Sequence, residues 1–275
     1  PPPPHSPQSD AFELFLGDVR DKTAVTEFAA HVDGIIHLAA VLGTQETITN
    51  PGPAAETNIL GGVNVLDSAK QYSLPLVYAG VGNYWMLNTY STTKTSVERL
   101  LYQYRTEFKT PFATVRPVNA YGPGQRAAPP FGSGKVRKIV PAFVCRAIAE
   151  IPIEIYGDGT QTRCFAHVYD VIDALVAIAF AKNTVGKAIN IGNDFEISIN
   201  DLAKRIILET GSKSEIIYVP YKEAYGDGFE DMERRVPNID LIQHLVGWKP
   251  QRDLSEIISD ISAEIKESLE RSDPA

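Results

Sequence analysis

The sequence predicts an α/β protein with a doubly wound parallel sheet and a smaller α/β lobe in its C-terminal half. Short runs of β-branched and aliphatic residues alternate with segments of helical periodicity, which is typical of buried strands covered by helices. Hydrophobic residues make up 44% of the 275 residues and charged residues 22%, an ordinary globular composition. From about Ala120 the alternation of strands and helices gives way to a long loop rich in proline and glycine, which indicates a second region.

The first half contains the predicted elements of the sheet. Strands are predicted at residues 34–39, 76–79 and 112–118, where short apolar runs end at turn residues. Helices are predicted at 58–72 and 90–108. The apolar face of the second helix consists of Val97, Leu100, Leu101, Tyr104 and Phe108. Residues 1–10 start with four prolines and predict a disordered tail.

The second half contains shorter elements. We predict a loop at 120–134, helices at 139–149, 170–181 and 198–210, strands at 153–156, 164–168 and 188–192, and a last helix after residue 253. Asp170 and Asp253 are candidate helix caps, and Gly211 is a candidate helix end. We expect one domain from residues 11–120 with 164–192. Residues 121–163 with 193–275 would form a lobe over the carboxyl edge of the sheet, where open α/β sheets bind ligands.

Charge and composition exclude several classes of protein. With 26 Lys+Arg and 34 Asp+Glu the net charge is −8, which argues against nucleic acid or an anionic membrane as a partner. The longest apolar stretch, 171–181, is interrupted by Asp173 and is too short to span a bilayer. The first ten residues do not resemble a secretory signal, and Cys145 and Cys164 cannot form a disulfide framework. We therefore expect a cytoplasmic protein without a metal site.

Tyr90 and Lys94 are the strongest candidates for chemistry. Residues four apart share one face of a helix, so the phenol and the ammonium project into the same space. A phenol is a poor base at neutral pH, but a neighbouring ammonium favours the phenolate. The pair is therefore a plausible proton shuttle for a sugar or alcohol hydroxyl. A Tyr and a Lys at this spacing on a surface helix more often have a structural role, which is the alternative from spacing alone.

Seven segments together resemble one family. They are 17–21 (GDVRD), 37–40 (HLAA), 57–66 (TNILGGVNVL), 90–94 (YSTTK), 116–124 (RPVNAYGPG), 156–170 (YGDGTQTRCFAHVYD) and 246–250 (VGWKP). In this order they are similar to the extended short-chain dehydrogenase/reductase superfamily, specifically its NAD-dependent nucleotide-sugar epimerases and dehydratases. The resemblance implies a Rossmann-like cofactor domain and a homodimer.

The resemblance also implies site residues. Tyr90 and Lys94 would be catalytic and would also contact NAD. The other cofactor-binding residues would be Asp18, Val19, Leu38, Ala39, Ala40, Asn58 and Pro117. The residues for the nucleotide-diphosphate sugar would be Asn119, Lys138, Arg163, Arg234 and Arg235.

Simpler structural roles compete for some of these residues. His37 follows a buried strand and is expected to be a satisfied core histidine rather than a catalyst. Arg163 would otherwise form a buried ion pair, and Arg234 with Arg235 would otherwise be a solvated run of charge. Trp248 is expected to anchor packing.

Two departures from the family bear on activity. No glycine-rich dinucleotide turn precedes Gly17, so we expect the N-terminal strand-turn-helix to be missing and NAD binding to be weak. The family also ends its strand at 76–79 with Ser or Thr, where this chain has Gly80 and Val81. Asn83, Asn88 or Thr89 are candidates to replace that hydroxyl.

The expected activity is 4-epimerisation of a nucleotide-diphosphate sugar. Dehydratases and uronate decarboxylases of the family place acidic residues directly after the Ser or Thr, and this chain has none there. The segments 161–163 and 234–235 are nevertheless similar to the decarboxylase group. A UDP-glucuronate decarboxylase-like enzyme is therefore the alternative, and a non-catalytic remnant that binds a sugar nucleotide or a partner is a second.

Overall fold

The computed structural model describes residues 12–42, 47, 50–125, 127–132, 138–225 and 232–272, so the predicted tail lies outside it. The described chain forms two compact units. One contains the residues up to Arg116 together with Leu175–Ile189, and the other contains Pro117–Ala174 together with the residues from Asn190 onward. The predicted division differs mainly at residues 164–174, which we assigned to the first unit and which lie in the second.

Strands and helices alternate along the described residues. The strands are β1 (Ile35–His37), β2 (Leu76–Ala79), β3 (Phe112–Pro117), β4 (Ala120–Tyr121), β5 (Ile153–Tyr156), β6 (Thr162–Cys164), β7 (Ala166–His167), β8 (Ala188–Ile191), β9 (Glu196–Ser198), β10 (Ile216–Val219) and β11 (Arg234–Arg235). The helices are α1 (Lys22–Ala29), α2 (Pro51–Ala55), α3 (Gly61–Tyr72), α4 (Thr89–Phe108), α5 (Ile139–Ile148), α6 (Val168–Phe180), α7 (Ile199–Thr210), α8 (Tyr221–Tyr225), α9 (Asp240–Val246) and α10 (Leu254–Ser272). A π-helical turn at Glu56–Leu60 precedes α3, and a 3₁₀ turn occupies Lys182–Thr184. These elements confirm the predicted α/β class.

A four-stranded sheet in the order β1-β2-β3-β8 lies at the centre of the first unit. β1 pairs with β2 and β2 with β3 in parallel register, which places Tyr78 between His37 and Thr114. Parallel neighbours need crossover connections, and α3 and α4 lie in the two crossovers. The loops that follow β1 and β2 therefore leave the sheet at the same edge.

Helices α3 and α4 pack on each other and on the sheet through a shared core. Its buried members are Val65, Leu66, Ala69, Leu76, Tyr78, Val97, Leu101 and Phe112. A Cβ on Gly62 would lie 2.8 Å from Val97 Cγ2, so the helices approach at a residue without a side chain. The predicted apolar face of α4 is confirmed at Val97 and Leu101, whereas Phe108 at its end is 52% exposed.

The second unit has its own core, in which α5, α7 and α10 surround β5. Its fully buried members include Val140, Val144, Ile153, Ile155, Leu202, Ile206 and Ile257. β5 pairs in parallel with β10, and β6 lies between β9 and β11. The last helix thus belongs to the core that also supports β5, the strand that carries Tyr156.

Two predicted helix caps have different outcomes. Asp253 caps α10, because its carboxylate accepts a hydrogen bond from the Glu256 N–H at 3.1 Å while the Glu256 carboxylate accepts one from the Asp253 N–H at 2.8 Å. The prediction that Asp170 caps a helix is wrong, since α6 begins two residues earlier. The Asp170 carboxylate instead accepts hydrogen bonds from the backbone N–H groups of Gln251 and Arg252 and from the Arg252 guanidinium.

Candidate active site

Tyr90 and Lys94 lie in the first turns of α4. Asn88 precedes the helix, and its side-chain oxygen accepts a hydrogen bond from the Ser91 N–H at 2.9 Å, which fixes where the helix begins. The spacing of four residues places both side chains on one face. Tyr90 is half-buried, whereas Lys94 is only 2% exposed. The structure therefore places the pair on the predicted helix face.

Lys94 has a desolvated ammonium. Its Nζ lies 4.3 Å from the centroid of the Tyr78 ring on β2, and burial lowers the pKa of Lys94 to about 8. His37, expected to be a satisfied core histidine, is buried, but its Nε2 makes no hydrogen bond within the described residues. Burial, aided by the charge of Lys94, lowers the pKa of His37 to about 4. The His37 imidazole is therefore neutral at pH 7, and the positive charge near it is that of the Lys94 ammonium.

The loop after β1 exposes an apolar surface. Leu38 is 55% exposed, Ala39 is exposed, and Ala40 is half-buried. The same strand ends in His37, whose buried imidazole lacks a partner for Nε2 among the described residues. An open apolar loop beside an unpaired polar atom and the Lys94 ammonium fits the nucleoside part of a dinucleotide, so these residues fit the predicted NAD.

Asn58 supports that loop from beneath. Its Oδ1 accepts a hydrogen bond from the Val41 N–H at 2.7 Å, and its Nδ2 donates to the Val41 carbonyl at 3.1 Å. The same Nδ2 donates to Thr93 Oγ1 on α4 at 3.0 Å. The polar atoms of Asn58 therefore connect the loop to the helix of Tyr90 and Lys94, and its predicted contact with the cofactor stays a prediction.

The remaining predicted cofactor residues lie apart from this cluster along the chain. The carboxylate of Asp18 accepts hydrogen bonds from the Arg20 guanidinium, the shortest at 2.6 Å, and these bonds lower the pKa of Asp18 to about 2. Val19 packs on α3, where a Cβ on Gly61 would lie 2.5 Å from Val19 Cγ2. Pro117 ends β3 and is half-buried. Their roles towards NAD stay predictions.

The end of β2 is packed too closely for a larger residue at Gly80. A Cβ there would lie 2.9 Å from Thr114 Cγ2 and 3.0 Å from Glu98 Oε2. The next residue, Val81, is 8% exposed and has no hydroxyl to offer a substrate. Asn88, one candidate to replace the missing hydroxyl, uses its side-chain oxygen to cap α4.

A cavity of about 390 Å³ lies within the second unit, a size typical of small-molecule sites. Three of the five predicted substrate residues line it, namely Asn119, Lys138 and Arg163. Asn119 is fixed by a hydrogen bond from its Nδ2 to the Cys164 carbonyl at 2.8 Å. The aromatic and amide side chains that line the cavity include Tyr121, Phe143, Tyr156, Gln161, Phe165 and Tyr221. The cavity thus combines flat rings with three cations, Lys138, Arg146 and Arg163, of which Arg146 forms an ion pair with Glu154 at 2.8 Å. Cations and rings together are what a nucleotide diphosphate requires.

Arg234 and Arg235 do not act as a pair. Successive residues of a strand face opposite sides, and β11 pairs Arg235 with Arg163 on β6. Arg234 binds Glu196 through two guanidinium nitrogens, at 3.0 and 2.9 Å. The structure therefore brings Arg235 beside Arg163, and it places Arg234 on Glu196 instead of on the cavity.

One buried ion pair was missed by the sequence reasoning. Glu98, one turn after Lys94 on α4, accepts a hydrogen bond from the Arg116 guanidinium at 2.5 Å. The other face of Arg116 is covered by Tyr84, whose ring centroid lies 4.7 Å from the guanidinium carbon. The i, i+4 position of Glu98 after Lys94 was the available signal. The pair connects α4, β3 and the loop before Tyr90.

The described residues contain no helix with the length and apolar character needed to cross a bilayer. They also contain no group of three or more His, Cys, Asp or Glu side chains placed to bind a metal ion. Cys145 and Cys164 are buried free thiols, and burial raises the pKa of both.

Comparison with known proteins gives a family match over most of the chain. The model of the NAD dependent epimerase/dehydratase family matches residues 2–192. Because the match begins at residue 2, it does not support the expectation that the family's N-terminal segment is missing. A UDP-N-acetyl-alpha-D-glucosaminuronate decarboxylase of Bacillus cytotoxicus is 30% identical over 252 residues, covering 84% of this chain and 76% of that protein. The chain spans only 54–58% of three further relatives, all UDP-glucuronic acid decarboxylases.

Solved structures agree with the fold. Epimerase Mth375 of Methanothermobacter thermautotrophicus is 26% identical, with a TM-score of 0.85 over 96% of this chain and 81% of that one. The UDP-glucuronic acid 4-epimerase of Bacillus cereus, solved with UDP-glucuronic acid and NAD, is 23% identical, with a TM-score of 0.83 over 95% of this chain and 83% of that one. The predicted Rossmann-like class is confirmed. The family match over residues 2–192, together with this fold, shows that the chain belongs to the NAD dependent epimerase/dehydratase family.

Proposed function

We propose that the chain is a 4-epimerase of a nucleotide-diphosphate sugar, and that it works by transient oxidation at sugar carbon 4. The observation that supports this best is the Tyr90–Lys94 pair on one face of α4, with Lys94 buried beside the exposed loop after β1. The segment from Gly80 to Asn88 contains no Asp or Glu. Any proton transfer needed in addition to the oxidation and reduction would therefore find no carboxylate in that segment.

The residues that would hold NAD are the apolar loop Leu38–Ala40, supported by Asn58, together with Tyr90 and Lys94. When bound, NAD supplies a hydride acceptor and, after the ketone has turned, a hydride donor. Asp18 near α1 is proposed to meet the adenine end, where its carboxylate is already bound to Arg20.

Tyr90 would take the proton of the carbon-4 hydroxyl as the carbonyl forms and return it to the oxygen when the alcohol is restored. Lys94 would favour the anionic form of the phenol through its positive charge. Desolvation strengthens that effect, since an ammonium in a low-dielectric place interacts more strongly with a neighbouring oxygen than it would in water. Lys94 would also bind the ribose next to the nicotinamide.

The cavity of the second unit is proposed to take the nucleotide diphosphate. Arg163 and Lys138 line it and would bind phosphate oxygens, with Arg235 beside Arg163 as a further cation. The aromatic lining of Tyr156 and Tyr221 would contact the base.

Decarboxylation of a nucleotide-linked uronate is the second candidate. It is favoured by the 30% identity to a UDP-N-acetyl-alpha-D-glucosaminuronate decarboxylase. Both activities begin with the same oxidation at carbon 4 and would use Tyr90 and Lys94 in the same way.

A product assay separates the two candidates. The chain is incubated with NAD and, separately, with UDP-glucose, UDP-N-acetylglucosamine and UDP-glucuronate, and products are identified by NMR. We expect carbon-4 epimers, and Tyr90→Phe should lower turnover by ~10²–10⁴-fold. Tyr84→Phe is the matched control, because it removes a phenol hydroxyl from the loop before α4, and it should retain turnover. Release of CO₂ with a UDP-pentose would establish the decarboxylase instead, and no product from any sugar would contradict both.

A further inference from the structure

Tyr78 contacts Lys94 twice. Its hydroxyl donates a hydrogen bond to the Lys94 backbone carbonyl at 3.1 Å, and its ring lies 4.3 Å beneath the Lys94 ammonium. One side chain of the sheet therefore contacts both the main chain and the charged end of the same residue on α4.

Both residues are almost completely removed from water, with Tyr78 1% and Lys94 2% exposed. An aromatic face attracts a cation more strongly when the pair is desolvated, so the ring replaces part of the hydration that the ammonium has lost. Burial, together with the charges of Tyr90 and Glu98, raises the pKa of Tyr78. Tyr78 therefore stays a neutral hydroxyl donor and does not compete with Tyr90 as a base.

The position of Tyr78 itself is firmly set. β2 lies between β1 and β3, and Tyr78 is in register with His37 on one side and Thr114 on the other. Its ring also contacts the His37 ring, with centroids 5.8 Å apart. A residue in the middle of a parallel sheet moves little, so its contacts can hold a long, flexible lysine side chain in one place.

We propose that Tyr78 is a positioning residue, which holds the Lys94 ammonium where the proposed reaction needs it. This inference rests on the proposed function, because it assigns to Lys94 a role beside Tyr90. The ring supplies the position of the ammonium, and the hydroxyl fixes the turn of α4 from which Lys94 extends.

The test compares three substitutions in the full chain. Tyr78→Phe keeps the ring and loses the hydroxyl, while Tyr78→Leu loses both. Phe112→Leu is the matched control, because Phe112 on β3 is equally buried in the same core and makes an edge-to-face contact with Tyr102. If Tyr78→Leu does not fold, Tyr78→Met provides a ring-free side chain that adapts to irregular space.

The first measurement needs neither cofactor nor substrate. In protein labelled with ¹³C at the lysine Cε, the Hε protons of Lys94 are expected at high field because they lie over an aromatic ring, and Lys94→Met identifies the signal. Tyr78→Phe should retain the high-field position, Tyr78→Leu or Tyr78→Met should abolish it, and Phe112→Leu should leave it unchanged. An unmoved signal in the ring-free variants would overturn the proposal.

The second measurement is turnover with NAD and the UDP-sugar that the wild type converts. A displaced catalytic group should lower kcat by ~10²-fold in the ring-free variants and change KM by less than about threefold. Tyr78→Phe should recover most of kcat. An equal loss of kcat in Phe112→Leu would show a general effect of core damage and contradict a positioning role. A wild type without turnover would overturn the proposed function, and the lysine spectrum would still report whether the ring holds Lys94.

Discussion

The Asn58 side chain binds both main-chain groups of Val41, with its Oδ1 accepting from the N–H at 2.7 Å and its Nδ2 donating to the carbonyl at 3.1 Å. An amide side chain thus pairs with the loop as a neighbouring strand would. The loop leaves the sheet after β1 ends at His37, and Asn58 provides that pairing from the π-helical turn.

Asn58→Leu should therefore loosen the loop and weaken NAD binding. The substitution keeps the approximate shape and removes the hydrogen bonds, so we expect a loss of about 1–3 kcal/mol in the free energy of unfolding. The dissociation constant for NAD should rise about 10-fold, which corresponds to 1.4 kcal/mol. Calorimetry with NAD and urea denaturation measure the two effects. Thr93→Val removes one acceptor and leaves both Val41 bonds, so its NAD affinity should match wild type. Equal NAD affinity in Asn58→Leu and wild type would contradict a supporting role.

Lys94 should make stability depend on pH above neutrality. Burial lowers its pKa from 10.5 to about 8, so between these values the unfolded chain binds more protons than the native one. The contribution of Lys94 to the free energy of unfolding is therefore lowest below about pH 8. It increases by roughly 3 kcal/mol as the pH rises to 10.5. Urea denaturation at several pH values measures it.

Lys94→Met is the reference for that measurement, because it has a similar length and no charge. At pH 7 we expect the methionine variant to be the more stable protein, with a margin that shrinks as the pH rises through the window. Titrating groups that do not interact with Lys94 are common to both proteins and cancel in the difference. A margin that stays constant with pH would show that the pKa of Lys94 is not lowered.

The buried pair of Glu98 and Arg116 should be costly to break. The side chains are 6% and 20% exposed, so removing one partner leaves a charge without compensation. We expect Glu98→Gln and Arg116→Met each to lower the free energy of unfolding by about 3–5 kcal/mol, and the double variant by less than the sum. Arg271→Met breaks an exposed pair on α10 and should cost below about 0.5 kcal/mol. Additive losses in the double variant would show that the two side chains do not interact.

Arg163 and Arg234 should differ in their effect on UDP binding. Arg163 lines the cavity, so Arg163→Ala should weaken the binding of UDP by about 1.5–3 kcal/mol, the range for hydrogen bonds to charged groups. Arg234 is bound to Glu196, so Arg234→Ala should weaken the binding of UDP far less. Calorimetry with UDP and the melting temperature are measured on both variants. A large fall in melting temperature with unchanged UDP affinity would assign Arg163 to the core and not to the cavity.

Short-range patterns were sufficient for much of the fold. The strands at 76–79 and 153–156 have their predicted bounds, because each is a compact apolar run next to proline or glycine. Helices α1 and α9 were not predicted. They have only eight and seven residues and one buried residue each, so their periodicity is too weak to recognise. The capping carboxylate of Asp21 was the one local signal for α1.

Parts of the candidate site could be proposed where its residues are near in sequence. Tyr90 and Lys94 were proposed from their spacing on one helix together with a family motif, and Arg163 from another motif, and their roles stay predictions. The support of Val41 by Asn58 joins residues 17 positions apart, and Glu98 meets Arg116 across 18. Such contacts depend on which strands become neighbours, and a local pattern does not contain that information.

The hydrogen bonds between Asp170 and Arg252 can form only late during synthesis of the chain. Their partners are separated by 82 residues, so they form only after a long loop has closed, an entropic cost that local helices do not meet. While the ribosome is still making the residues before 251, the Asp170 carboxylate has neither of these backbone partners and remains hydrated. The second unit therefore cannot complete its packing until the residues around Arg252 have been synthesised.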